Sequence, residues 1–180
     1  MISKNIVVLS GSPRKNANTD KLVAAFIEGA ESASKNVNLF RIADLDIKGC
    51  TGCNHCQNTK QGCRLEDDMP QIYDAIRKTD TLVLASPVYF SSVTAQLKAA
   101  LDRLFALMPE GFQVKRGALL VTCAERAKEE ADGSIVVYEH IMLAFKGENA
   151  GIIIATGLWE PDDIDGRPEL DEARVLGEGI

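Results

Sequence analysis

Aromatic residues and histidine are scarce in this chain of 180 residues: aromatics make up 6%, with one tryptophan, and there are two histidines. Few aromatics disfavour a nucleic-acid stacking platform. The 20 Lys and Arg are outnumbered by 26 Asp and Glu, a net charge of −6, so no basic face is expected for a phosphate backbone. No apolar run approaches membrane-spanning length, and the run at residues 6–9 is too short for a signal peptide. A cytoplasmic protein that binds neither nucleic acid nor membrane is expected. The Gly-Lys-Ser/Thr of a P-loop, G-x-G-x-x-G and the G-x-S-x-G hydrolase elbow are all missing. No cysteine is followed by arginine six positions on, so low-molecular-weight phosphatase chemistry lacks its loop. Repeats and Pro/Gly/Ser-rich linkers are absent, and residues 1–180 read as one domain carrying a Cys-rich loop at 49–65.

What the chain does contain is strand–helix alternation. Residues 5–10, 37–41, 81–85, 118–122 and 150–155 read as strands, being short β-branched or apolar runs. Residues 19–33 read as a helix with Leu22, Phe26, Ile27 and Ala30 on one side. Asp68 reads as an N-cap with Gln71 three residues on, opening a helix that carries Met69, Ile72, Tyr73 and Ile76. Residues 92–108 place Val93, Leu97, Leu101, Leu104 and Met108 in helical register; 135–145 and 168–176 complete the helices. Such alternation implies an α/β fold, a parallel sheet with helices on both faces. Five strands suit a flavodoxin-like three-layer sandwich of order 2-1-3-4-5, whose ligand sits at the carboxyl ends of the strands, at the switch point between strands 1 and 3.

Two loops meet there. Residues 10–19, Ser-Gly-Ser-Pro-Arg-Lys-Asn-Ala-Asn-Thr, run from a strand end into a helix start. A helix N-terminus offers backbone N–H groups and a favourable dipole to an anion. Ser10, Ser12 and Thr19 add hydroxyls, Asn18 an amide and Arg14 a charge, a set suited to one phosphate monoester. The same residues also suit a plain turn and helix cap. Residues 86–92, Ser-Pro-Val-Tyr-Phe-Ser-Ser, set two adjacent aromatics at a strand end, stiffened by Pro87. They suit the side of a planar, mostly apolar ligand, or packing under the next helix or a subunit contact.

The stretches GSPRKNANT and SPVYFSSVTAQLKAALDR resemble the NADPH-dependent FMN reductase family of flavodoxin-like proteins, and the likeness runs from residue 6 to the segment 168–177. The resemblance implies that Ser10, Ser12, Pro13, Arg14, Asn18 and Thr19 hold the phosphate of FMN. It implies that Pro87, Val88, Tyr89, Phe90 and Ser91 line the isoalloxazine, with Cys123 and Ala124 near the other end of the ring.

Four of the five cysteines fall between positions 50 and 63, as Cys50-x2-Cys53-x2-Cys56-x6-Cys63. C-x2-C-x2-C is the spacing by which one loop wraps a [4Fe–4S] cube, and the compact motif resembles that of the iron-sulfur flavoprotein branch of the family. Zinc, with His55 as a substitute ligand, and redox-active thiols without metal remain as alternatives.

The expected activity is therefore that of an FMN-dependent oxidoreductase, passing electrons from NADPH, NADH or a ferredoxin-like protein carrier through FMN to an acceptor. No side chain is needed as an acid–base catalyst. The alternatives are an iron-sulfur flavoprotein that transfers electrons without nicotinamide, and a redox-sensing module that binds a protein. A homodimer or homotetramer is expected. In the helix at 92–108, Leu101, Leu104 and Met108 fill the sheet-facing stripe, leaving Phe105 and Leu107, with Phe112 beyond, as surplus apolar surface. Trp159 is a candidate cover for a flavin edge, in its own subunit or a partner's, or else a plain packing residue.

Overall fold

A computed structural model describes residues 5–180. Among the described residues, β1 (Asn5–Ser10), β2 (Asn36–Arg41), β3 (Thr81–Pro87), β4 (Arg116–Thr122) and β5 (Glu148–Ala155) form a parallel sheet in the order β2-β1-β3-β4-β5. This is the expected flavodoxin-like order. Strands β1, β3 and β4 are buried on both faces, which is why they read as unbroken apolar runs. Successive residues of a strand point to opposite faces. Val7 and Leu9 accordingly join one core with Ile72, Leu97, Leu101 and Tyr138, while Ile6 and Val8 join the other with Leu22, Phe26 and Ala173.

The first core is covered by α3 (Met69–Ile76), α4 (Ala95–Arg103) and α5 (Asp132–Phe145), the second by α1 (Asn18–Ser32) and α6 (Pro168–Gly179). A short helix, α2 (His55–Thr59), lies inside the Cys-rich loop. Helices α1 and α6 touch backbone to backbone. A Cβ on Gly29 would stand 2.0 Å from the Arg174 carbonyl oxygen, and one on Gly177 2.1 Å from that of Phe26. Among the described residues no helix is long and apolar enough to cross a membrane.

Two expectations need correction. The cap of α3 is not the box of Asp68 and Gln71: Asp68 makes no side-chain cap bond, and Asp67 Oδ1 instead accepts from Met69 N at 3.1 Å. Asp68 is used elsewhere, accepting from Asp46 N at 2.8 Å. The helix expected over residues 92–108 starts at Ala95, capped by Thr94, and tightens after Arg103 into a 3₁₀ turn at Leu104–Leu107. Three residues per turn instead of 3.6 shift the register. Leu107 is therefore buried at 2% exposure, while Met108, placed in the sheet-facing stripe by the α period, is 44% exposed.

Candidate functional site

The carboxyl ends of β1, β3 and β4 frame one cleft. Its first wall is the turn into α1, with Ser12, Arg14, Ala17, Asn18 and Thr19 lining it. The N-cap position of α1 is Ala17, which has no side-chain group to return to the first turn, and no side-chain cap bond is made. The donor end of a 15-residue helix thus opens uncapped on the cleft. The acidic residue of that turn, Asp20, is neutralised by Arg41, which also pairs with Asp44. Arg14 makes no ion pair among the described residues. Beneath the turn, the Ser10 hydroxyl is buried without a hydrogen-bond partner, an unmet polar group at the strand end.

The other proposed donors on this wall are partly committed. Ser12 Oγ donates to the Arg14 carbonyl at 3.2 Å. Thr19 and Thr122 share a hydroxyl hydrogen bond of 2.7 Å across the cleft floor. Asn18 uses both ends of its amide on a distant loop: Nδ2 donates to the Glu160 carbonyl at 2.7 Å, and Oδ1 accepts from Ile164 N at 3.1 Å. Its amide therefore fastens the 160–164 loop to the start of α1. Pro13 shapes the turn without lining the cleft.

The opposite wall is Pro87, Val88 and Tyr89, with Thr122, Cys123 and Ala124 at the end of β4 and Leu158 and Trp159 beyond β5. Phe90 and Ser91, expected at the ring, do not line the cleft. Both have positive φ, at 48° and 65°, in a tight turn bridged by Tyr89 and Ser92, which aims Phe90 wholly into solvent. Thr122, Ala17 and Leu158 were missed in the sequence, although the rule that ligands sit at strand carboxyl ends points to Thr122 and Leu158. Trp159 is held by its backbone: its N–H and that of Glu160 both donate to Asp163 Oδ2 at 2.8 Å. Burial pushes the Cys123 thiol above the ordinary range and keeps it protonated.

A second constellation lies in the loop before α3. Cys50, Cys53, Cys56 and Cys63 are all free thiols, the first two exposed and the others half-buried. All four line one pocket, together with Arg64, Leu65 and Phe105. The chain curls around it through Gly52 and Gly62, at φ of 65° and 81°, with open space where a Cβ would stand. Gln57 Nε2 donates to the Phe105 carbonyl at 2.7 Å and fastens α2 to the segment after α4. Hydrogen bonds from the His55 backbone and the Thr51 side chain draw the Cys53 thiol below the ordinary range. Among the described residues no three His, Cys, Asp or Glu side chains are arranged to hold a single metal ion.

The family model for NADPH-dependent FMN reductase matches residues 4–150. An iron-sulfur flavoprotein of Methanosarcina thermophila is 32% identical, over 89% of this chain and 85% of that protein. Another, from Methanocaldococcus jannaschii, is 31% identical over 97% and 94%. Among solved structures, an NAD(P)H:quinone oxidoreductase from Methanothermobacter marburgensis superposes with a TM-score of 0.76 at 18% identity, covering 98% of this chain and 96% of that one. An azoreductase from Bacillus anthracis gives 0.73 at 16%, with both chains covered in full; at these identities the likeness is one of fold. The chain belongs to the NADPH-dependent FMN reductase family and is a flavin-dependent oxidoreductase whose cofactor is FMN.

Proposed function

We propose that the cleft holds FMN with its phosphate at the start of α1, on Ser10, Ser12, Arg14 and Thr19, and its ring beside Pro87, Val88 and Tyr89. The observation that carries this reading is the pairing, in one cleft, of an uncapped helix N-terminus and an apolar wall at the switch point of the sheet. The Ser10 hydroxyl lies buried beneath the turn, outside the cleft lining, and has no partner of its own. When bound, FMN supplies hydride and single-electron chemistry; the protein binds and orients it. Asn18 holds the 160–164 loop in place, and with it Trp159 at the rim. Neutral Cys123 and Ala124 give the far end an uncharged floor. The cleft volume, about 130 Å³, is below the roughly 300–1,000 Å³ of ligand clefts and cavities. One side of the ring is thus left to NADPH, NADH, an acceptor or a second copy of the chain.

The same reading gives Cys50, Cys53, Cys56 and Cys63 a [4Fe–4S] cluster. Their soft thiolates are the donor set such clusters take. A cube accepts one thiolate at each of four irons, so it needs thiols around a shared space, not converging on a point, as they stand here. Thiols clustered this way stay available as ligands in a reducing compartment, which supports the cytoplasm. Electrons from a nicotinamide or a ferredoxin-like carrier then reach an acceptor by way of the chain's flavin. Exposed Phe105 and Met108, with half-buried Phe112, edge an apolar groove. That surface supports a homodimer or homotetramer.

Titration of flavin-free protein with FMN and with riboflavin tests the phosphate assignment. The reading expects FMN to bind at least about tenfold tighter, as charge-assisted hydrogen bonds require. Equal affinities contradict it.

A further inference from the structure

Arg103, the last residue of α4, is the only basic residue in the buried interior among the described residues. Its side chain is 1% exposed and that of its partner Asp67 is 0% exposed. An ion pair taken out of water is often no more stable than well-packed apolar residues of the same volume. The reason for keeping this one lies in what it touches. Arg103 Nη1 donates to Asp67 Oδ2 at 2.5 Å and to the Lys48 carbonyl at 2.7 Å; Nη2 donates to Asp67 Oδ1 at 3.2 Å. Asp67 Oδ2 also accepts from Lys48 N at 3.0 Å. Asp46 and Asp68 exchange two further bonds, of 2.8 and 2.9 Å. Residues 46–48 and 66–69 are therefore the two stems of one loop, closed by the guanidinium, and the four cysteines lie between them.

Arg103 Nε is buried with no hydrogen-bond partner. Burial opposes the Arg103 charge, and the hydrogen bonds to Asp67 hold it in place. Burial also pushes the Tyr73 hydroxyl up to about 12, so it stays a donor, bonded to the Arg103 carbonyl at 3.1 Å.

We propose that Arg103 is the positioning residue of the four-cysteine loop: it locks the loop's two stems together and so holds the four thiols around their shared space. This rests on the reading of the cysteines as cluster ligands. Helix α4 begins beside the flavin loops at Thr94 and ends at this clamp, so one rigid element sets the position of both sites.

The test compares the parent protein with Arg103→Lys, Arg103→Gln, and Arg103→Met combined with Asp67→Asn, which strands no carboxylate. Amide exchange of residues 48–67 is followed in the metal-free, flavin-loaded chain. Iron and FMN content are measured after anaerobic reconstitution. Exchange in 48–67 is expected to rise at least tenfold in every variant, with little change elsewhere. Iron uptake is expected to fall at least tenfold in every variant, with FMN retained. Unchanged exchange overturns the clamp, and full iron uptake in the variants overturns its role in holding the thiols. A parent protein that takes up no iron refutes the cluster reading, while exchange in the metal-free chain still decides the clamp.

Discussion

Thr94 binds Gly11 across the switch point of the sheet. Its Oγ1 donates to the Gly11 carbonyl at 2.8 Å while accepting from Leu97 N at 3.3 Å, so one buried hydroxyl caps α4 and ties the two candidate flavin loops together. The approach is close enough that a Cβ on Gly11 would meet this oxygen at 2.5 Å. Thr94→Val keeps the shape and removes both bonds. From the loss of a cap and an unpaired buried carbonyl, we expect a stability loss of about 1–3 kcal/mol and weaker FMN binding. Thermal melts of the flavin-free protein, followed by FMN titration, measure both; parent-like values in each contradict this role.

Arg14→Ala is expected to cut FMN affinity roughly ten- to a hundredfold, the range for removing a charge-assisted hydrogen bond. Riboflavin affinity should stay unchanged, because the arginine is assigned to the phosphate and not to the ring. Fluorescence titration with both flavins checks this, and an equal loss for the two would move Arg14 away from the phosphate.

The fold was legible because its signals are local. The run Ile6–Leu9 is apolar at every position, as a strand buried on both faces must be. The parts of the site that escaped are those set by distant partners. Asn18 reads as a free amide until the chain returns 142 positions later and engages it. Arg103 carries no sign of its role in the sequence, because nothing in its neighbours announces Asp67 and Lys48. Phe90 reads as a ring contact from its place in the motif, yet the positive φ that turns it outward has no glycine to mark it. The exchange of Leu107 and Met108 follows from a helix tightening that hydrophobic periodicity does not encode.

Cys123 provides a pH test. Burial raises its pKa, so the thiol stays protonated through neutral pH and the thiolate forms only above the ordinary range near about 8.5. In flavin-free protein, iodoacetamide labelling of Cys123 followed by mass spectrometry should reach its half-maximal rate above that value. FMN should suppress the labelling further. A midpoint at or below the ordinary value, or labelling indifferent to FMN, contradicts the placement of Cys123 in the cleft floor.

The apolar groove beside the Cys loop predicts self-association. Phe105, at 45% exposure, edges it with Met108. Light scattering of the flavin-loaded protein at micromolar concentration should give at least twice the mass of one chain, and Phe105→Lys should lower it. A single-chain mass for the parent protein contradicts the oligomer.

In the reading proposed above, this chain carries two redox groups, FMN in the cleft and an iron–sulfur cluster on Cys50, Cys53, Cys56 and Cys63. Its most direct test is an anaerobic absorption spectrum with flavin and iron quantified per chain, before and after reconstitution. We expect about one FMN and about four irons per chain, the content of one [4Fe–4S] cluster, with the iron lost in Cys53→Ser and the flavin retained. Reconstituted protein that holds FMN without stoichiometric iron would contradict it.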